Sequence, residues 1–257
     1  MATDASAVAP VLPAAIELDC TRLQAWACAP RYGVLRVGQD GAGLARGDRV
    51  LAPIGTTAGG GCGVDPPRCV RLPDALDARA ALLLPPVAAA MGAWAALKLE
   101  LGDVAVCSGA GPMAALAARI ACWHGAMPVV VLDGDHEPPD RGEPLSSGDP
   151  LLAVARIQAL SAGRAGFAAL DLGGRADAAA VLLAALPRWG RLFLAAETQE
   201  PLTVDFYGDV HVKGALILTG ALKPFDPPAA DAPLCRRALR LLQRTDCAGP
   251  LLDLFGA

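Results

Sequence analysis

Apolar residues along this chain fall into two rhythms. From residue 32 to residue 73 they come in short runs parted by glycine, proline and aspartate. The runs are Tyr32 to Val37, then Arg49 to Pro53 behind the turn Arg46-Gly47-Asp48, then Cys69 to Leu72 before Pro73-Asp74. Runs of that length between turn formers predict strands, and Gly59 to Gly63 reads as a loop. Ile16 to Ala27 reads as a helix. Ala78 to Leu84 and Val87 to Leu97 predict two more, broken by Pro85-Pro86.

After residue 100 short apolar runs alternate with longer helical stretches. Strands are predicted over Val104 to Cys107, Val129 to Leu132, Ala168 to Leu172, Arg191 to Ala195 and Ala215 to Thr219. Helices are predicted over Pro112 to Trp123, Leu151 to Leu160, Ala176 to Leu186 and Leu234 to Arg244. Residues 134 to 149, polar and rich in Pro, Gly and Asp, read as a loop. Apolar strands alternating with helices imply a parallel sheet covered on both faces. The expected fold is therefore α/β: a Rossmann-type parallel sheet over 96–225, a reduced β-rich unit over 1–95 and a helical tail over 226–257.

Composition narrows the function. The chain has 257 residues, 54% of them hydrophobic, with a net charge of −4. That excludes a disordered chain, and with no long basic run it argues against a nucleic-acid partner. Aromatics make up only 4%, so Ala, Leu and Val must fill the core. Ala80 to Leu97 is uncharged between Arg79 and Lys98, but it carries Pro85, Pro86 and Gly92. It reads as a buried helix and not as a membrane span. Thr3, Asp4 and Ser6 precede any apolar run, which predicts no secretory leader and a cytoplasmic protein whose eight cysteines are reduced. No Cys-x-x-Cys or paired-histidine motif marks a metal site, and Cys62 reads as a small turn residue.

The stretch with chemistry is Val104-Ala105-Val106-Cys107-Ser108-Gly109-Ala110-Gly111-Pro112-Met113-Ala114. Gly109 permits a sharp turn after a strand, and Gly111 removes the side chain where a pyrophosphate would approach the backbone. The helix that follows offers free N–H groups and its positive dipole end to that anion. Ala114 replaces the usual third glycine and is still small enough for helix–strand packing. The next strand ends at Asp133, an acid placed to accept both hydroxyls of an adenosine ribose and to repel a 2′-phosphate. Asp135 and Glu137 add charge of the same sign. Ser108, Gly109, Ala110, Gly111, Pro112, Met113 and Asp133 are thus the expected contacts of NAD(H). A Rossmann-like sheet without nucleotide is the alternative.

These landmarks resemble the medium-chain dehydrogenase/reductase family, the zinc-type alcohol dehydrogenases and their zinc-free relatives. Gly38 with Gly47-Asp48-Arg49-Val50 resembles the strand pair of the family's GroES-like domain, and Leu72-Pro73-Asp74 its entry to the cofactor half. Gly109-Ala110-Gly111-Pro112, Asp171-Leu172-Gly173-Gly174, and Val204-Asp205-Phe206-Tyr207 with Lys213-Gly214 follow in the family's order, over residues 32 to 222. Ala118-Arg119-Ile120-Ala121 through Pro128, and Glu200-Pro201-Leu202, resemble the bacteriochlorophyllide dehydrogenase branch. The family's Gly-His-Glu and its four-cysteine lobe have no counterpart here, so its zinc ligands are not carried over. The expectation is a trimmed, zinc-independent member.

The resemblance implies an NAD(H)-dependent oxidoreductase acting on a small-molecule, natural-product-like substrate. It also implies a homodimer formed through the edge strand Ala215 to Thr219. Tyr32, Tyr207, His124 and His211 are candidates for moving a proton, with no choice among them. A non-redox descendant performing a lyase or cyclase step, or a scaffold without catalysis, are the competing readings.

Overall fold

A computed structural model describes residues 31–37, 44–54, 69–139, 142–163, 166–196, 200–220, 222 and 233–255. The helix expected at Ile16 to Ala27, the loop at Gly59 to Gly63 and Cys62 lie outside the described residues. The chain divides into two compact units, Met1–Ala88 with Lys223–Ala257, and Ala89–Leu222.

In the first unit β1 (Arg31–Arg36), β2 (Arg49–Ile54) and β3 (Val70–Arg71) form an antiparallel sheet in that order. Leu35, Val50, Ala52 and Cys69 gather into a small buried cluster. Arg49 fixes the chain beyond the sheet, because its Nη1 donates to the carbonyls of Pro73, Asp74 and Leu76 at 3.2, 2.7 and 2.8 Å. The helix α1 (Ala78–Leu82) starts where Asp77 accepts the N–H groups of Arg79 and Ala80. It packs against α6 (Pro233–Leu242) and α7 (Thr245–Phe255). The sequence pattern predicts one C-terminal helix, and α7 is a second. Gly249-Pro250 reads as a breaker, yet Pro250 lies inside the helix, whose buried Cys247, Ala248, Leu251 and Phe255 offset the lost hydrogen bond.

The helix α2 (Leu84–Ala96) takes Pro85 and Pro86 into its first turn, where their missing N–H groups cost nothing. Its 13 residues span about 20 Å. Among the described residues no helix is long and apolar enough to cross a membrane.

The second unit is built on six strands: β4 (Val104–Ser108), β5 (Val129–Leu132), β6 (Gly142–Leu145), β7 (Phe167–Asp171), β8 (Arg191–Leu194) and β9 (Leu216–Thr219). Their order is β6-β5-β4-β7-β8-β9 and every pair is parallel. That is the doubly wound Rossmann order, with its switch point between β4 and β7. All residues of β4, β5 and β7 are buried, which is why these strands read as unbroken apolar runs. On one face Val104, Val106, Val130, Leu132 and Ala169 pack against residues of α4 (Pro150–Ser161) and α5 (Ala176–Ala185). The helix α3 (Pro112–His124) packs on β4 and β5, and α2 is tied to it where Trp94 Nε1 donates to the Ala117 carbonyl at 2.9 Å.

Two further elements differ from expectation. Within the stretch read as loop, residues 142 to 145 form β6, an edge strand only partly buried. An edge position tolerates Pro144 and the polar Glu143, the residues that disguise the strand. Tyr207 and His211, for which the family pattern suggests a loop near the sheet edge, belong to a π-helical turn, Phe206–His211, started by the Asp205 carboxylate accepting Gly208 N–H at 3.0 Å. Among the described residues β9 pairs only with β8, which puts the expected edge strand at an edge.

Candidate functional site

The C-terminal ends of the six strands form an exit rim, and the central one carries the glycine-rich turn. Gly109 has φ +119° and Gly111 φ +93°, conformations that L side chains rarely adopt. At Gly109 there is also no room. A Cβ would stand 2.7 Å from the Gly173 backbone nitrogen, so the turns after β4 and β7 meet glycine on glycine. At Gly111 a Cβ would meet nothing within 4 Å. That open space lies at the start of α3, which no side chain caps through its N-cap residue and which has Pro112 in its first turn. It fits the backbone approach of a pyrophosphate.

The predicted residues divide by position. Gly109, Ala110, Gly111 and Pro112 form the turn, with Ala110 exposed. Met113 and Ala114 are buried in the first turn of α3 and pack instead of facing outward. Ser108 is fully buried, and its Oγ donates to Asp171 Oδ1 at 2.5 Å across the switch point. Asp133 ends β5 in a left-handed conformation with φ +57°, which aspartate tolerates. Its carboxylate accepts Ser147 N–H at 2.8 Å and Ser147 Oγ–H at 2.6 Å. A carboxylate has about four lone-pair sites, so acceptor capacity remains for ribose hydroxyls.

Four rim residues escape the sequence reading. Asp171, quoted only as a landmark, is fully buried. Its Oδ1 also accepts Gly173 and Gly174 N–H at 3.1 and 3.4 Å, while its Oδ2 has no partner. Burial pushes its carboxyl above the usual range, against those hydrogen bonds. Asp135 enters as a neighbouring charge only, yet its Oδ1 accepts Gly111 N–H at 2.6 Å and contacts His136 Nδ1 at 2.6 Å. The Gly111 N–H, with help from His136, holds the Asp135 carboxyl below its ordinary value. His136 and Ser147 have no sequence signal, because both follow from the path taken after β5. Between the glycine turn and residues 134 to 139 lies a shallow cleft open to solvent.

The proton-transfer candidates of this unit lie away from the glycine turn. His124 is at the far end of α3, about 20 Å of helix from Gly111. Tyr207 and His211 stack on each other, 5.4 Å between ring centroids, in the turn before β9. Lys213 of the next segment donates to the carbonyls of Leu183 and Ala184 at the C-terminal end of α5, which places this turn at the opposite rim. Tyr32 is in β1, in the other unit. Zinc, the metal that the resemblance brings with it, finds no donor set: among the described residues no three His, Cys, Asp or Glu side chains form a metal-binding group.

A parallel sheet in Rossmann order, a glycine turn at its switch point and a separate antiparallel β-unit define the architecture. It is the architecture of zinc-type alcohol dehydrogenases. The chain is similar to the 2R,3R-butanediol dehydrogenase of Bacillus subtilis, with TM-score 0.65 and 18% identity over 89% of this chain and 75% of that one. It is similar to a putative zinc-binding dehydrogenase from Sinorhizobium meliloti 1021 bound to NADP, with TM-score 0.65 and 14% identity over 91% and 80%. A short chain alcohol dehydrogenase from Escherichia coli CFT073 complexed with NADH matches with TM-score 0.62 and 17% identity over 83% and 70%. No protein-family model and no curated protein matches the chain. At these identities the likeness establishes the fold.

Proposed function

We propose that this chain is an oxidoreductase of the medium-chain dehydrogenase/reductase type that uses NAD(H) and works without zinc. The observation that carries the reading is the Gly109–Gly111 turn. It sits at the end of the central strand and beside the switch point, both glycines at positive φ, with open space over the start of α3. A nicotinamide dinucleotide bound there supplies the hydride acceptor or donor for a substrate carbon. The chain's own part is to hold it. The amides at the start of α3 face the pyrophosphate, and Asp133 takes the ribose through the lone pairs that Ser147 leaves. The same carboxylate disfavours a 2′-phosphate. Arg175, its guanidinium raised first by Asp177 and further by Asp133 and Glu200, adds a cation at this rim.

The substrate is a natural-product-like small molecule, and the short segments that resemble bacteriochlorophyllide dehydrogenases nominate a tetrapyrrole of that type. The exposed edge of β9, with Leu216 47% accessible, supports a homodimer through that strand. Cys107 and Cys247 as unbridged thiols support a cytoplasmic setting. One observation favours the scaffold reading instead. The cleft at the turn is shallow and encloses almost no space of its own, against the roughly 300–1,000 Å³ usual for small-molecule sites.

Calorimetric titration with NAD⁺, NADH and NADPH separates the two, with the particle mass read by sedimentation. The oxidoreductase reading expects NADH to bind, Asp133→Ala to weaken it by roughly tenfold, NADPH to bind more weakly, and a dimer mass. Absence of binding by all three dinucleotides would leave the scaffold.

A further inference from the structure

We infer that residues 134 to 139 form a self-inhibiting strap, whose Asp135 carboxylate occupies the Gly111 N–H that a dinucleotide phosphate would take. The inference rests on the dinucleotide reading above and adds a control to it.

The path after β5 is where the strap originates. Parallel strands are ordinarily joined through about a dozen residues or more, mostly helical. Here β5 ends at Leu132 and β6 begins at Gly142, leaving nine residues, 133 to 141. None of the described residues among them is helical. Gly142 pairs with Val129 at the entry end of β5, so the connection must bring the chain back across the sheet without a helix, and residues 134 to 139 pass beside the glycine turn as they leave the exit rim. Gly109, Gly111 and Ala115 line one side of the resulting cleft, and Asp135, His136 and Pro139 line the other.

Its ends are pinned. Asp133 N–H donates to the Leu145 carbonyl at 2.9 Å, and Ser147 holds the Asp133 carboxylate. At the other end Gly142 N–H donates to the Pro139 carbonyl at 2.6 Å, and a Cβ on Gly142 would stand 2.8 Å from Pro138 Cβ. Two consecutive prolines limit the backbone between. A carboxylate tethered this closely competes with a free ligand at high effective concentration. The Asp135 side chain is nevertheless 56% exposed, so it can leave the amide without opening the core. His136 at 2.6 Å balances the carboxylate on its outer side and moves with it.

The test is NADH affinity of the full chain as wild type, Asp135→Asn and Asp135→Ala, with adenosine as a phosphate-free probe. Apparent affinity scales with the open fraction, so a strap closed nine-tenths of the time predicts about tenfold tighter NADH binding by Asp135→Ala. Asp135→Asn should fall between, and adenosine should bind all three alike. Hydrogen exchange at the Gly111 amide, read without ligand, should quicken in Asp135→Ala. Equal or weaker NADH binding by Asp135→Ala overturns the strap while the dinucleotide reading stands. Unchanged Gly111 exchange overturns it as well. Failure of wild type and both variants to bind NADH removes the dinucleotide reading and the strap together.

Discussion

The two rims of the parallel sheet solve opposite problems with the same strands. Where the strands enter, Asp103 and Arg191 form an ion pair at 2.6 Å with side chains only 5% and 17% exposed. Asp103 also accepts Glu100 N–H at 3.0 Å, and Arg191 also donates to the carbonyls of Lys98 and Phe167. Where the strands leave, a buried carboxyl keeps an unpartnered oxygen, two glycines hold positive φ and an exposed aspartate sits on a helix-start amide. One rim is paired and closed. The other stores unused polar capacity, as expected of the rim where open α/β sheets bind ligands.

The sharpest way to break this contrast is at the entry rim. Asp103→Ala leaves Arg191 without its carboxylate and should destabilise the protein by about 3–5 kcal/mol. Urea unfolding measures it. Below the unfolding transition NADH affinity should match wild type, since nothing at this rim faces the glycine turn. Loss of affinity without loss of stability would mean the division of labour is wrong.

At the exit rim the two glycines should part company. Gly109→Ala meets backbone at 2.7 Å at an unfavourable φ and should cost about 3 kcal/mol. Gly111→Ala meets nothing, so strain alone should cost about 2 kcal/mol. Its methyl group, however, enters the space in which a pyrophosphate would lie. Unfolding curves should therefore rank Gly109→Ala as the more damaging, while NADH titration at low temperature should show Gly111→Ala impaired beyond its stability loss. Equal stability losses would contradict the close glycine–glycine approach.

The contrast also explains what the sequence discloses. The apolar runs of β4, β5 and β7 are visible because burial on both faces forces every position to be apolar. The glycine turn is visible because a tight approach admits only one residue type. The edges are hidden. Pro144 and Glu143 make β6 look like loop, and edge placement is what permits them. The pairing of Ser108 with Asp171, 63 residues apart, depends on β4 and β7 becoming neighbours, which no local pattern records. Asp135 and His136 gain their meaning only from a crossover too short for a helix. Likewise α7 is hidden by Gly249-Pro250, because packing outweighs a local breaker.

The smallest expected effect probes the buried carboxyl itself. Burial raises the Asp171 pKa in the folded protein, so the native state binds its proton more tightly than the unfolded chain does. Wherever the native state holds more protons, unfolding free energy falls as pH rises. The contribution is therefore fully present below the ordinary carboxylate pKa, near 4, and is lost as pH rises through the higher folded value. Asp171→Asn keeps an oxygen for Ser108, Gly173 and Gly174 but has no proton to lose. Chemical denaturation from acid to neutral pH should show wild type losing stability relative to this variant as pH increases. Each curve's absolute height reflects the new buried amide, so the slope of the difference is the quantity that decides. A flat difference, or one that rises with pH, would place the Asp171 charge in a solvated setting and remove the buried, half-partnered carboxyl from the exit rim.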